Sequence, residues 1–377
     1  MTALKSDPAH TSLKEADSQV LQAKVEDLEK AYTGFFERGM GFPAWKRKRD
    51  RQSIRYPQRF RFKDARIYLP KVGWVRAIFH RAMVGVPKNV TVSKTAAGDY
   101  DAVVQCEREA KPPVHTGPAV GVDVGLTDLA VLSTGEKIPH PKYLRRAEKR
   151  LARLQRALSR KIKGSKNREK ARLLVARQHE HVANCRRDTL RKLSDRLTRE
   201  FGTIRMENLN IRGMLKNHVL AKGIADSGWG LLVGMRRYKA QWRGGVVEQI
   251  DRFYPSTKTC HVCGHTNDTL TLADPAWTCR PCGTLHDRDV NAAKVILAAP
   301  VGTVALARPQ KLPLEQRNVT PVERPSDAKA AGWSAGLGEA GSPALFRAGW
   351  LTDTTQGPRN IRLLMSDIGQ ICYHGED

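Results

Sequence analysis

The chain has 377 residues, of which 40% are hydrophobic and 27% charged, so it is long enough for two or three folded domains. Lysine and arginine number 65 against 38 acidic residues, which gives a formal net charge of +27. This surplus favours a polyanionic partner, because basic side chains that neutralise phosphates release counterions. A merely solvated surface is the alternative.

The sequence carries no signal for secretion or membrane insertion. Met1–His10 is polar, and no apolar segment typical of a signal peptide follows it. The longest apolar stretch, Val295–Ala307, is interrupted by Pro300 and Gly302 and is too short to span a bilayer. Seven cysteines include one tight tetrad and leave three without a partner by spacing, which excludes a disulfide framework. We expect a cytoplasmic or nucleoid-associated protein without membrane contact.

The first 118 residues predict a helical segment followed by a small β-barrel. Apolar residues recur at helical spacing over Leu13–Arg38, and Gly41–Arg55 follows as a basic loop. Between residues 54 and 118, short strands separated by turn residues indicate an antiparallel barrel. Its predicted strands are Ile67–Leu69, Trp74–Ile78, Asn89–Ser93 and Tyr100–Gln105.

A basic helical hairpin is predicted over residues 141–201, after two strands within Ala119–Leu132. Its first helix has the apolar seam Tyr143, Ala147, Leu151, Leu154, Leu158 and Ile162. Gly164 ends that helix, and the second runs from Arg168 to Phe201 with Leu174, Val182, Leu190, Leu193 and Leu197 facing inward. Residues 141–200 carry 21 Lys+Arg against 6 Asp+Glu, a net of +15, which favours nucleic-acid contact over simple solubility.

The remaining elements alternate between strands and helices until periodicity ends at Pro300. They are the strand Thr203–Glu207, the helix Trp229–Trp242, the strand Gly245–Ile250 and the closing helix Asp289–Ala299. The tail, residues 301–377, is rich in Gly, Ala, Pro and Ser, and we expect it to be disordered or poorly packed.

Two Cys-x-x-Cys pairs predict a structural zinc site. Cys260 and Cys263 are followed after 15 residues by Cys279 and Cys282, and a glycine follows each pair. Four thiolates fill a tetrahedral Zn²⁺ shell, so His261 and His265 are not needed as ligands. An iron–sulfur cluster or redox-active pairs are the alternatives.

Three carboxylates, Asp123, Glu207 and Asp289, each lie at the end or start of an apolar element. Taken singly, they have ordinary interpretations: a turn residue, a surface residue and a helix N-cap. Taken together, they fit the carboxylate cluster that holds paired Mg²⁺ ions in nucleases. Crowding would raise their pKa values until metal binds. Asp128 and Asp287 are candidate auxiliary ligands.

Four segments of the chain together resemble the OrfB/TnpB family of insertion-sequence proteins, which are relatives of type V CRISPR effectors. They are Gly121-Val-Asp-Val-Gly-Leu126, Met206-Glu-Asn-Leu-Asn210, the stretch from Asp251 to Gly264, and Asp287-Arg-Asp-Val-Asn-Ala-Ala293. The resemblance covers residues 12–299. It implies that Asp123, Glu207 and Asp289 match the three acidic residues of a RuvC nuclease and that the four cysteines match the zinc ligands.

The implied fold is α/β: an RNase H-like (RuvC) core with an inserted zinc ribbon, preceded by a helical segment and a small wedge-like β-barrel. The expected boundaries are 1–53 for the helical segment, 54–118 for the barrel, 119–255 and 286–300 for the core, 256–285 for the ribbon and 301–377 for the tail. Family members usually have a further strand and helical sequence before Leu13, so the chain looks N-terminally truncated. The tail resembles no domain. Since the implied guide RNA overlaps the end of the gene, one interpretation of the tail is RNA sequence read as protein.

The implied function is a transposon-associated, RNA-guided DNA endonuclease that uses Mg²⁺ for phosphodiester hydrolysis, structural Zn²⁺ and a guide RNA. The protein would hold the RNA–DNA heteroduplex by its backbone. Candidate phosphate contacts are the loop Trp45–Arg55 and the helix residues Arg145, Arg146, Lys149, Arg150 and Arg153. The alternatives are a catalytically inactive RNA-guided DNA-binding protein and a DNA-strand transferase. The sequence leaves the oligomeric state open.

Overall fold

The computed structural model describes residues 6–45, 52–80, 82–107, 113–271, 273–300 and 361–365. The described residues up to 300 divide into two compact units. One contains residues up to 79 together with 89–91, and the other contains 80–88 and the residues from 92 onward. Both α-helices and β-strands are present, so the fold is mixed α/β. No helix in the described ranges is long and apolar enough to cross a membrane.

The first unit begins with a helix whose ends are defined by its caps. A 3-10 helix, Pro8–Lys14, precedes α1 (Ser18–Arg38). The Asp17 carboxylate accepts hydrogen bonds from the amides of Gln19 and Val20, which fixes the start of α1. Gly39, with φ of 62°, ends it in the left-handed conformation. The predicted helix therefore starts later than Leu13.

Short strands follow α1, as the turn residues predicted. They are β1 (Gln52–Tyr56), β2 (Arg61–Lys63), β3 (Arg66–Leu69), β4 (Gly73–Phe79), β5 (Val86–Lys94) and β6 (Tyr100–Glu107). Strands β2, β3 and β4 form an antiparallel meander. The predicted barrel is wrong, because no sheet of the described residues closes on itself. A barrel requires its first and last strands to pair, and local strand signals do not determine that pairing.

Two predicted regions fall largely outside the described residues. Of the basic loop Trp45–Arg55, residues 46–51 lie outside them. Of the predicted tail, the structure describes Ile361–Met365, which is a strand. The expectation that the tail is disordered or poorly packed stays a prediction.

The second unit is built on a five-stranded mixed sheet. Its strands are β7 (Ala119–Asp123), β8 (Asp128–Leu132), β9 (Lys137–Pro139), β10 (Thr203–Glu207) and β11 (Val246–Ile250), in the order β11-β10-β7-β8-β9. Strand β10 is parallel to both β7 and β11, and the β7–β8 and β8–β9 pairs are antiparallel. The central strands are almost continuously apolar because both faces of the sheet are covered.

The helical hairpin covers one part of this sheet. It consists of α2 (Tyr143–Ser159) and α3 (Lys166–Glu200), and α3 packs against α6 (Trp229–Trp242) after the short helices α4 (Ile211–Met214) and α5 (Ala221–Ser227). Leu190, Leu193 and Leu197 join the core under the sheet. Two predicted inward residues face solvent: Leu174 is 51% exposed, and Ile162, beyond the end of α2, is 81% exposed.

Helix α7 (Arg288–Ala298) packs against β7, where Gly121 permits close contact. A Cβ atom on Gly121 would lie 2.8 Å from the amide nitrogen of Leu297 and closer still to the carbonyl oxygen of Ala293. Both are backbone atoms of α7, so they cannot move aside as a side chain could. Glycine at residue 121 therefore sets the distance between helix and sheet.

We predict that Gly121→Ala destabilises the protein by roughly 1–3 kcal/mol or more, because the added methyl group must displace α7. Gly234→Ala is the matched control, since a Cβ at this exposed position in α6 meets no atom within 4 Å. The control should be neutral or stabilise the protein by up to about 1 kcal/mol, since alanine favours helix. Urea unfolding of the two variants measures the difference, and equal stabilities would refute the close contact.

Candidate active site and metal centre

Asp123 and Glu207 end neighbouring parallel strands of the second unit. Met206 pairs in register with Val122, so the two carboxylate residues that follow them are adjacent. Neighbouring strands lie about 4.8 Å apart, and residues in register point to the same face of a sheet. The strands β7 and β10 therefore place the Asp123 and Glu207 side chains beside each other.

Asp289 comes from the first turn of α7, on the helix face that covers β7. Asp289 and Ala293 are four residues apart and share a helix face, while Gly121 and Asp123 share a strand face. Four helical residues span about 6 Å and two strand residues about 6.6 Å, so the two spacings match. Since Ala293 contacts Gly121, one turn back along α7 brings Asp289 toward Asp123.

The pKa of Asp123 also indicates that the three carboxylates lie near one another. Burial raises the pKa of Asp123 well above its usual range, and the negative charges of Glu207 and Asp289 raise it further. A hydrogen bond from the Val124 amide and the nearby Arg288 oppose the shift. The structure thus places the three predicted carboxylates near enough to influence one another, although their oxygen atoms do not all lie within 4.8 Å of one another.

Each of the other two carboxylates has a protein partner. The Ser256 hydroxyl donates to Glu207 Oε1 at 2.5 Å, and Arg288 Nε donates to Asp289 Oδ1 at 2.9 Å. Ser256 lies just before the cysteine cluster and Arg288 lies in α7, so each contact orients its carboxylate from a different part of the chain. Sequence patterns do not single out Ser256, whose only signal is its position four residues before Cys260.

The two candidate auxiliary ligands, Asp128 and Asp287, are placed less favourably for metal binding. The N-cap of α7 is Asp287, whose Oδ1 accepts from the Val290 amide at 3.0 Å. Its other oxygen lies 2.6 Å from Lys137 Nζ, so Asp287 is engaged as a cap and an ion-pair partner. The alternative that Asp289 is the cap is therefore wrong. Asp128 begins β8, is half-buried, and stays a candidate ligand.

The four predicted cysteines form one cluster, within 4.8 Å of one another by their sulfur atoms. Cys260 Sγ lies 3.7 Å from Cys282 Sγ, and Cys263 Sγ lies 3.5 Å from Cys279 Sγ. Tetrahedral zinc with Zn–S bonds of about 2.3 Å places its sulfurs about 3.8 Å apart, so these distances fit zinc. In the described part of the chain, no other group of three or more His, Cys, Asp or Glu side chains meets the same distance criterion.

Local structure explains how the cysteines converge. Each pair ends in a turn closed by a glycine amide that donates to the first cysteine carbonyl, and Gly264 and Gly283 have φ of 75° and 67°. The short strands β12 (Ala276–Thr278) and β13 (Leu285–Asp287) support the second pair. Burial raises the pKa of Cys279 to about 12, whereas hydrogen bonds with Thr284 lower the pKa of Cys282 to about 6.

The predicted phosphate-contact residues share one exposed helix surface. All five candidates, which we call the α2 basic face, are solvent-exposed: Arg145, Arg146, Lys149, Arg150 and Arg153. Asp226 anchors this helix, because its carboxylate oxygens accept from the Leu144 amide at 3.1 and 3.0 Å and from Arg186 of α3 at 2.9 Å. Sequence patterns did not identify Asp226, since its partners are 40 or more residues away.

Comparison with known proteins adds two family matches. The model described as "Probable transposase" (OrfB_IS605) matches residues 101–218, and the model described as "Cas12f1-like, TNB domain" matches residues 229–296. Among solved structures, a chain from the "Cryo-EM structure of the Cas12f1-sgRNA-target DNA complex" aligns with a TM-score of 0.44 and 15% identity, covering 72% of this chain and 69% of that chain.

Curated relatives are more similar. A protein of Streptomyces pristinaespiralis named "Putative RNA-guided DNA endonuclease" is 42% identical over 310 residues, which cover 79% of this chain and 76% of that protein. The InsQ protein of Escherichia coli (strain K12), which carries the same description, is 37% identical over 305 residues, 76% of this chain and 75% of its own length. At this identity and coverage, the chain belongs to the OrfB/TnpB transposase family, in which these relatives carry the name RNA-guided DNA endonuclease.

Proposed function

We propose that this chain is an RNA-guided DNA endonuclease whose active site is formed by Asp123, Glu207 and Asp289. The observation that carries the proposal is geometric: the register of β7 with β10 and the packing of α7 on β7 bring these carboxylates toward one another. The raised pKa of Asp123 agrees with this placement. A negative cluster of this kind in a chain of net charge +27 is best explained by a function that needs it.

The donor set fits Mg²⁺, because carboxylate oxygens are the hard ligands that this ion prefers. Asp123, Glu207 and Asp289 would hold it. When bound, Mg²⁺ supplies activation of water and stabilisation of the negative charge that develops on phosphate oxygens. Both roles suit the hydrolysis of a phosphodiester bond.

The surrounding residues keep these ligands in place. Ser256 donates a hydrogen bond to Glu207, which limits the rotation of that carboxylate. Arg288 pairs with Asp289 and is close enough to Asp123 to lower its pKa, so its charge partly compensates the cluster. The dipole of α7 also favours negative charge at its N-terminal turn, where Asp289 lies.

The cysteine cluster is proposed to bind structural Zn²⁺ through Cys260, Cys263, Cys279 and Cys282. Its sulfur–sulfur spacing and four-thiolate donor set support zinc over a metal that prefers oxygen ligands. Four protein ligands leave no open coordination position, so this site would have a structural role. Because Cys279 must lose its proton to bind, zinc affinity should fall as the pH is lowered.

The α2 basic face is proposed to contact the phosphates of the guide RNA or target DNA. Its five cations are exposed, and the one acidic residue of α2, Glu148, pairs with Lys222. Asp226 and Arg186 hold α2 against the rest of the unit, so the face is presented on a fixed support. Contacts of this type position nucleic acid without reading its sequence.

We predict that Asp289→Ala abolishes cleavage of a matched target while leaving RNA and DNA binding nearly unchanged, because it removes a metal ligand and no phosphate contact. Asp287→Ala is the matched control two residues away. It removes a helix cap and should lower stability by about 1 kcal/mol but keep most of the cleavage. The measurement is the single-turnover cleavage rate, with target affinity determined in parallel.

The results separate the enzyme from its alternatives. Loss of cleavage in both variants, with matched stability, would argue against Asp289 as the specific ligand. If the wild-type chain with its RNA and Mg²⁺ binds a matched target and never cuts it, the catalytically inactive DNA-binding protein is the better interpretation. Joined rather than hydrolysed DNA ends would instead indicate a strand transferase.

We predict that replacing Arg145, Arg146, Lys149, Arg150 and Arg153 with glutamine flattens the salt dependence of nucleic-acid binding. The slope of log affinity against log salt should decrease by roughly 0.7–0.9 for each phosphate that the variant no longer neutralises. A control with Arg160, Lys161 and Lys163 replaced by glutamine removes three charges just beyond α2. An unchanged slope in the first variant would mean that the α2 basic face is only solvated.

A further inference from the structure

Asn291 is a buried polar residue on α7, two positions beyond Asp289. Its side chain is 1% exposed, in a helix whose neighbouring buried residues are Ala292 and Ala293. A buried amide must form hydrogen bonds to offset the loss of water. Its partners therefore indicate what the residue does.

The hydrogen-bond partners of this side chain lie next to the first cysteine of the cluster. Asn291 Nδ2 donates to the carbonyl oxygen of Thr259 at 2.7 Å. Its Oδ1 accepts from the backbone amide of His261 at 3.0 Å and lies 2.9 Å from His261 Nδ1. These residues precede and follow Cys260, so a single amide side chain holds the backbone on both sides of that ligand.

A second contact connects Cys260 to the strand that leads into α7. His286 Nε2 lies 3.1 Å from Cys260 Sγ, and the ring is buried against Trp277, with 4.8 Å between centroids. His286 belongs to β13, which ends at Asp287, immediately before α7 begins. Cys260 is therefore linked to the start of α7 in two ways, through His286 before Asp289 and through Asn291 after it.

We propose that Asn291 is a positioning residue that couples metal binding at the four cysteines to the placement of Asp289. When zinc fixes Cys260, the hydrogen bonds of Asn291 hold the first turns of α7, and with them the Asp289 carboxylate, next to Asp123 and Glu207. Without zinc, the segment from Thr259 to His261 is released and α7 loses this support. The significance for cleavage rests on the proposed nuclease function, whereas the coupling itself does not.

The test uses hydrogen exchange of α7 amides in the full chain, with one equivalent of Zn²⁺ and after its removal by a chelator. In the wild type, zinc should slow exchange over residues 289–298. In Asn291→Ala, this zinc-dependent slowing should decrease by about 5- to 150-fold, the usual range for coupled sites. The variant should still bind one zinc per chain, since all four thiolates remain.

Asn267→Ala is the matched control. Asn267 is an asparagine of the same ribbon whose side chain bonds within its own turn, to Thr269 at 3.2 and 2.8 Å. It should keep the wild-type effect of zinc on α7. If Asn291 had only a general structural role, its replacement would lower stability equally with and without zinc. The zinc-dependent difference in hydrogen exchange of α7 therefore distinguishes a positioning role from general support.

His261→Ala provides a milder variant, because it removes the ring contact to Asn291 Oδ1 and keeps the hydrogen bond from the His261 backbone amide. It should give an intermediate loss of coupling. Cleavage adds a second comparison: Asn291→Ala should lower the cleavage rate at saturating target without weakening target binding. If Asn291→Ala binds no zinc or does not fold, the zinc-dependent exchange of α7 in His261→Ala tests the proposal instead.

Several results would overturn the proposal. These are wild-type exchange in α7 that does not respond to zinc, full coupling in Asn291→Ala, or full coupling in His261→Ala when the first variant does not fold. If zinc protects α7 through Asn291 but the wild-type protein never cleaves DNA, the coupling stands and the proposed nuclease function fails.

Discussion

The close contact between Gly121 and the backbone of α7 is the constraint on which the candidate active site depends. It occurs because residue 121 has no side chain, so the helix lies directly against β7. The matching of helix and strand spacing then brings Asp289, one turn before Ala293, toward Asp123, two residues after Gly121. A helix held farther away would leave two carboxylates at the sheet edge and a third separated from them.

This arrangement concentrates negative charge, with a consequence for stability. The pKa of Asp123 is raised above its ordinary value of 3.8. A group with a raised pKa contributes stability at low pH, and that contribution is lost as the pH rises through its folded-state pKa. At neutral pH the metal-free cluster therefore opposes folding, and a divalent cation bound there would reverse the effect. The same charge that makes the site suitable for a metal makes it unfavourable without one.

Sequence patterns predicted local elements well where periodicity was strong. The strand Thr203–Glu207 and the helix Trp229–Trp242 have the predicted bounds, and the four cysteines converge as their spacing indicated. The barrel was wrong because closure depends on pairing between distant strands, which local alternation does not encode. Leu174 was misassigned because it lies on the outer face of α3, whereas the adjacent Leu173 and Val175 are half-buried.

The roles of some informative residues could not be identified from sequence. Asn291 lies in a quoted motif, but its role, like those of His286 and Asp226, depends on partners 26 or more residues away. The three carboxylates were found because motifs marked them, yet their proximity required the register of β7 with β10 and the packing of α7. Local patterns thus predicted the components, and tertiary contacts determined their arrangement.

The most direct test of a shared metal site is the melting temperature of the wild type and of Asp123→Asn, Glu207→Gln and Asp289→Asn as Mg²⁺ is increased. A ligand that binds only the folded state stabilises it by about 2.7 kcal/mol at one hundred times its dissociation constant. We expect Mg²⁺ to stabilise the wild type and each variant to lose most of that effect, with Asp123→Asn more stable than wild type when metal is absent. Equal stabilisation of the wild type and all three variants would contradict a site shared by these carboxylates.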